Sequence, residues 1–197
     1  MDSILRLAQA LRCLPGVGPK SAQRMVYHLL QHQRQRGLHL AECLSIAMEK
    51  VMPCRRCNNF TEAELCHICD DGTRDASVLC VVDSPSDIAA IEQSQAFKGR
   101  YFVLNGKVSP LDGLGPEEIG LPRLEECVRT ENTKELILAL SPSVETQATV
   151  HFIRQFLQAY DTSITQLAHG IPSGGELEYL DGHTISSALK NRAVVDA

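Results

Sequence analysis

The sequence contains no stretch approaching the ~18 consecutive apolar residues of a membrane-spanning helix, and no apolar run of signal-peptide type opens it. Membrane spanning and secretion are therefore not expected, and a cytoplasmic setting is. Repeats and low-complexity tracts are lacking too, so the 197 residues must build ordinary globular structure, enough for one good-sized domain and a smaller one. An overall excess of positive charge, the usual mark of a nucleic-acid binder, is also missing, since the net charge is −5. The deficit is uneven. Residues 1–56 carry nine Lys or Arg against three Asp or Glu, and residues 57–197 carry ten against twenty-one. Either the two parts serve different partners, or the first attracts a polyanion that the second repels. The plainer reading is that helices often show solvated basic faces.

Among eight cysteines, four stand as two C-x-x-C pairs, Cys54-Arg-Arg-Cys57 and Cys66-His-Ile-Cys69, eight residues apart. Each pair can form a tight knuckle whose thiolates face one tetrahedral ion, and two knuckles close a four-thiolate zinc site of the structural kind, with no open position for a substrate. The linker Asn58 to Leu65 is short and polar, so the metal supplies most of the module's folding free energy. The module is expected to act as a staple between two larger parts. The competing readings are a redox dithiol and two local disulfides. His67 could replace one cysteine as ligand. Cys13, Cys43, Cys80 and Cys127 are scattered and read as small, mostly buried residues of a reducing compartment.

Apolar residues at helical spacing predict three amphipathic helices, carried by Ile4 to Leu14, Ala22 to Leu30 and Leu40 to Val51. Pro15-Gly16-Val17-Gly18 joins the first two, with Pro19 suited to the first helical position. Gly37 is expected to end the second helix and Pro53 to stop the third. Beyond Cys69, short β-branched runs alternate with helical stretches. Ser77–Val82, Tyr101–Leu104, Leu136–Leu140 and Ile164–Ala168 read as strands, and Pro85–Gln95, entered through Ser84 as N-cap, and Val144–Ala159 as helices. Asn105 to Gly120 reads as a long loop. The alternation predicts a mostly parallel, doubly wound sheet. Past a turn at Ser173-Gly174-Gly175, the tail reads as a strand or extended arm, Glu176–Leu180, and a short helix, Thr184–Arg192, both suited to pairing with another subunit.

Two constellations carry chemistry. In Leu14-Pro15-Gly16-Val17-Gly18-Pro19-Lys20, Gly16 and Gly18 allow the backbone to approach a partner, and the second helix presents free amides to a phosphate, reinforced by Lys20 and Arg24. The pattern resembles a helix-hairpin-helix, a non-specific DNA-binding element that usually works in pairs; the simpler alternative is an ordinary αα-hairpin. Val81-Val82-Asp83 places a carboxylate at the C-terminal end of a strand, with Asp87 one turn onward, at the edge where open α/β sheets bind ligands. This layout resembles a Toprim domain. The Asp-x-Asp pair that metal-dependent Toprim enzymes carry after a later strand is replaced by Leu140-Ser141-Pro142-Ser143, with Glu145 the nearest acid and Gln147 neutral. Two-metal phosphoryl chemistry needs more carboxylates than this. The remaining histidines, His28, His32, His39, His151, His169 and His183, form no metal-ligand spacing.

Taken in order, LPGVGPKSAQR, the paired CxxC motifs, LCVVDSPSDIAAIE, FVLNGKVSPLDGLGPEEIG and HGIPSGGELEYLDGHT resemble the bacterial recombination mediator family RecR across nearly the whole chain. The resemblance implies an α+β, multidomain fold: a helix-hairpin-helix DNA-binding region at 1–53, a four-cysteine zinc finger at 54–76, a Toprim-like parallel-sheet domain at 77–172, and a strand-helix arm for oligomer contacts at 173–197. It implies a non-enzymatic DNA repair protein of the bacterial nucleoid that forms dimers and clamp-like tetramers. Such proteins work with RecO, and in many bacteria RecF, to load RecA onto single-stranded DNA covered by single-strand-binding protein. Gly16, Gly18, Lys20 and Arg24 would face DNA, and Cys54, Cys57, Cys66 and Cys69 would hold one zinc ion per chain. Asp83, Asp87 and Glu145 would lie on an acidic surface for partner contact. The sequence departs from the usual pattern where Asp83 stands for a common glutamate, and where SPSVETQAT replaces the more acidic NPTVEGEAT. The alternative function is a Mg²⁺-dependent Toprim nuclease or topoisomerase-like enzyme, with thiol-disulfide chemistry third.

Overall fold

The computed structural model describes residues 2–109, 112–168, 170–172 and 174–191, leaving out the side chains of His183 and Lys190. His169, Ser173 and Arg192, which figure in the sequence expectations, lie outside the described residues. The chain divides into two units, residues 1–51 and 52–197.

The first unit is three helices. Asp2 caps α1 (Ser3–Leu11), accepting from the Ile4 amide at 3.2 Å. After the hairpin come α2 (Pro19–His32), with Pro19 in its first turn as expected, and α3 (Arg34–Lys50). The second helix stops at Gln33 rather than at Gly37. Gly37 lies instead in the first turns of α3, next to Leu29 of α2; a Cβ there would sit 3.7 Å from a Leu29 methyl, an ordinary packing contact. Pro53 likewise does not end α3, which stops at Lys50 with Val51 already extended. Among the described residues of this unit only Ala22 and Val26 are fully buried, while Leu38, Leu44 and Met48 stay 63%, 52% and 77% exposed.

The second unit opens with a two-stranded hairpin, β1 (Met52–Pro53) antiparallel to β2 (Phe60–Thr61), and the short α4 (His67–Asp70). A four-stranded sheet follows, built from β3 (Asp75–Val82), β4 (Gly99–Val103), β5 (Glu135–Ala139) and β6 (Ser163–Gln166), in the order β4-β3-β5-β6 and parallel throughout. The crossovers contain α5 (Pro85–Ser94), α6 (Leu121–Glu131) and α7 (Val144–Leu157). The expected strands and the two expected crossover helices are present. The sequence reading missed α6, whose buried Leu121, Leu124 and Val128 are interleaved with charge. The tail holds a single 3₁₀ turn at Leu177–Tyr179 where an arm was expected, then α8 (Gly182–Lys190). No helix among the described residues is long and apolar enough to cross a membrane.

Alternation along β3 and β4 sorts the core into two faces. Leu79, Val81 and Phe102 pack with Leu136, Leu138, Leu121, Leu124, Ile153 and Leu157. Cys80, Val82, Tyr101 and Val103 face the other way, onto Ile88 of α5 and onto all four cysteines of the paired motifs. Burial on both faces explains why these strands are near-continuous apolar runs. Register pairs Val82 with both Val103 and Ala139, so the chain leaves β3, β4 and β5 at one level.

Candidate metal centre and nucleic-acid interface

The sulfur atoms of Cys54, Cys57, Cys66 and Cys69 all lie within 4.8 Å of one another, and each residue is at most 3% exposed. A tetrahedral ion with Zn–S bonds near 2.3 Å needs sulfurs about 3.8 Å apart; Cys57 and Cys66 are separated by 3.6 Å. The cluster therefore fits a four-thiolate zinc ion. Local hydrogen bonding builds it: the Cys54 amide donates to the Asn59 carbonyl at 2.6 Å, and the Cys66 amide donates to Cys54 Sγ at 3.3 Å. The thiols compete for charge. Hydrogen bonds from Cys57 and Cys69 drive Cys66 far below its ordinary range, and the same contacts drive Cys57 and Cys69 up. A cation between them removes that conflict by letting all four ionise. His67 opens α4 and is exposed; it is not among the clustered ligands.

Residues remote in sequence fasten this cluster to the sheet, and sequence reasoning found none of them. The Val103 amide at the end of β4 donates to the Cys57 carbonyl at 2.9 Å, and Asn58, in a left-handed conformation with φ 62°, returns a bond from Nδ2 to the Val103 carbonyl at 3.0 Å. Arg123 of α6 donates to Asn58 Oδ1 and to the carbonyls of Cys54, at 2.8 Å, and Arg55. Arg56 donates to the Cys69 carbonyl at 2.8 Å and pairs with Glu131 at 3.2 Å, a carboxylate that also meets Arg100 at 2.7 Å. The expected staple is thus a layer of the α/β unit's own core.

At the hairpin, the Val17 amide closes a turn onto the Leu14 carbonyl at 3.2 Å, and Gly16 takes φ +77°, which L side chains rarely adopt. Gly18 is the N-cap of α2 and offers no side chain to its amides. Open space surrounds the Cβ positions of both glycines, and Lys20 and Arg24 are exposed, with no ion pair to either among the described residues. Uncapped amides beside two free cations suit a phosphate.

The sheet edge is arranged differently. Asp83 follows β3, and its Oδ2 accepts the Ser141 amide at 2.7 Å and lies 3.4 Å from the Lys107 ammonium, which also donates to the Ser141 carbonyl at 3.2 Å. Asp83 Oδ1 is buried without a partner. Asp87 turns back to accept the Ser84 amide at 2.8 Å, as a capping box requires. Glu145 remains exposed, held below the usual carboxylate range by its own backbone amide and then by the Ser143 hydroxyl. Lys107 thus puts a fixed cation against the acid that a metal would use. Lys107→Ala is expected to lower unfolding free energy by about 1–3 kcal/mol, because a mostly buried carboxylate loses its counter-charge; denaturant unfolding measures it, and an unchanged midpoint would contradict the role.

Family models match consecutive segments of the chain: the RecR helix-hairpin-helix over residues 4–48, the RecR four-cysteine zinc finger domain over 51–71, the Toprim domain over 77–168 and the RecR C-terminal segment over 170–193. A curated relative named "Recombination protein RecR", from Legionella pneumophila strain Philadelphia 1, is 66% identical over 196 residues, covering 100% of this chain and 98% of its own. A protein of the same name from Coxiella burnetii is 50% identical over 192 residues, covering 97% and 96%. Helical hairpin, four-sulfur cluster and parallel Toprim sheet, in that order and with full-length similarity of this degree, make the chain a member of the RecR family of recombination proteins.

Proposed function

We propose that the protein is a non-enzymatic DNA-binding mediator of recombinational repair, which acts with RecO, and with RecF where it is present, to load RecA onto single strands covered by single-strand-binding protein. The observation that carries this reading is the hairpin: Gly16 and Gly18 leave the approach to the α2 amides open, and Lys20 and Arg24 stand free beside them. One zinc ion per chain holds the cysteine layer. Asp83, Asp87 and Glu145 belong to the partner-facing acidic edge, of which Glu145 is the exposed member. A single hairpin per chain, together with the exposed Leu38, Leu44 and Met48 of the helical unit, supports a homodimer or homotetramer that presents several hairpins to one DNA molecule. The setting is the bacterial cytoplasm, at the nucleoid.

The enzyme alternative finds no support at the sheet edge, where Lys107 rather than free carboxylates faces Asp83. Incubation of the purified protein with Mg²⁺ and labelled DNA separates the two readings. Binding that weakens steeply with salt, ignores base sequence and leaves the DNA intact is the expected result. Cleavage that Asp83→Ala abolishes would overturn the proposal.

A further inference from the structure

The face of α2 that carries Lys20 and Arg24 continues beyond them. Ala22 and Val26 mark the packed side of this helix. Away from it Lys20, Arg24, His28 and His32 recur at every fourth residue, a row that winds about 120° around the helix, and all four are exposed. At 1.5 Å per residue the row is about 18 Å long, the length of about five phosphates along one strand of B-form DNA. A shallow, open cleft of about 530 Å³ follows the row from Arg24 onward, lined by Arg24, His28, Gln31 and His32 together with Ser21, Met25 and Tyr27. The two imidazoles stand 5.7 Å apart, and Tyr27 is 43% exposed. No Asp or Glu occurs between Asp2 and Glu42, so nothing on this helix repels a polyanion.

We infer that α2 carries a track for a single strand of DNA, with the hairpin and Lys20–Arg24 gripping phosphates at one end and His28, His32 and Tyr27 receiving unpaired bases along the helix. The inference rests on the DNA-binding reading above and deepens it. A groove with cations at one end and flat aromatic rings along it suits a single strand, because rings stack on bases of any sequence, whereas a duplex keeps its bases stacked inside. His28 and His32 supply rings where a purely phosphate-binding face would need only charge.

The test uses the full chain, with fluorescence anisotropy of labelled oligothymidylate and of a duplex of equal length at low salt. His28→Ala with His32→Ala replaces two exposed side chains by the best helix former and keeps the fold. It is expected to weaken single-strand binding by about tenfold, the scale of one lost stacking contact, and to leave duplex binding within about threefold. His28→Tyr with His32→Tyr should restore single-strand affinity. Two results overturn the inference while leaving the hairpin reading intact. One is wild-type affinity in the alanine pair when Lys20→Ala with Arg24→Ala has lost binding. The other is an equal loss on both DNA forms without rescue by tyrosine. Unchanged binding in the Lys20–Arg24 pair as well would remove the DNA reading itself.

Discussion

Withdrawal of zinc, by chelation or by Cys66→Ser, is expected to unfold the α/β unit and not merely loosen a peripheral knuckle. The four cysteines are part of the same buried cluster as Ile88 of α5 and as Cys80, Val82, Tyr101 and Val103, which lie on one face of the central sheet. Their carbonyls also receive Arg123, Arg56 and the Val103 amide. Without the ion, four sulfurs at close quarters must either stay protonated or repel, and a serine oxygen is a poor substitute for thiolate. Zinc contributes about 10–16 kcal/mol in small finger peptides, against about 5–15 kcal/mol for the stability of a whole domain. A loss of even about 5 kcal/mol would lower the melting temperature by roughly 10–20 °C in a unit of this size. Thermal unfolding with and without chelator measures the effect, and tyrosine fluorescence gives a local probe, since the chain has no tryptophan and Tyr101 sits in the affected cluster. A melting temperature within a few degrees of the metal-loaded protein would show that the sheet holds its shape without the sulfur layer.

The second large effect is expected on DNA. Replacing Lys20 and Arg24 together by alanine removes two exposed cations that make no ion pair among the described residues, so the fold should be unaffected. Each lost phosphate contact reduces the salt slope by about 0.7 on single strands and 0.9 on duplex. The pair should therefore flatten log–log salt dependence by about 1.4–1.8 and weaken binding by about ten- to a hundredfold at low salt. Titrations across a salt series read both quantities from the same data. An unchanged slope would place the phosphate contacts on another surface.

Those two sites were the parts most legible in the sequence, and for a common reason: each is a local pattern. Cys54 to Cys69 spells out a ligand set within one short segment, and Pro15 to Lys20 spells out a tight turn with its following helix start. The strands of the sheet were legible because burial on both faces makes them continuously apolar. What escaped was non-local or mixed in character. Arg123 acts on carbonyls nearly seventy positions earlier in the chain, and nothing around it marks that role. The α6 stripe of Leu121, Leu124 and Val128 is diluted by Arg123, Glu125, Glu126 and Arg129. Gly37 reads as a helix stop because glycine favours that position, yet the chain had already broken at Gln33 and begun the next helix. The cysteine module's packing against the sheet was not legible either, since a linker too short for its own core can still join a neighbour's.

Lys107 has a bearing on how the sheet edge behaves in a cell. The segments leaving β3, β4 and β5 are drawn together by one ammonium, through Asp83 and the Ser141 carbonyl. A coordinated divalent ion would come and go with its free concentration, whereas a lysine is present in every copy of the chain. The tie between these strand-end segments is therefore carried by the chain itself and draws on no ion taken up from solution.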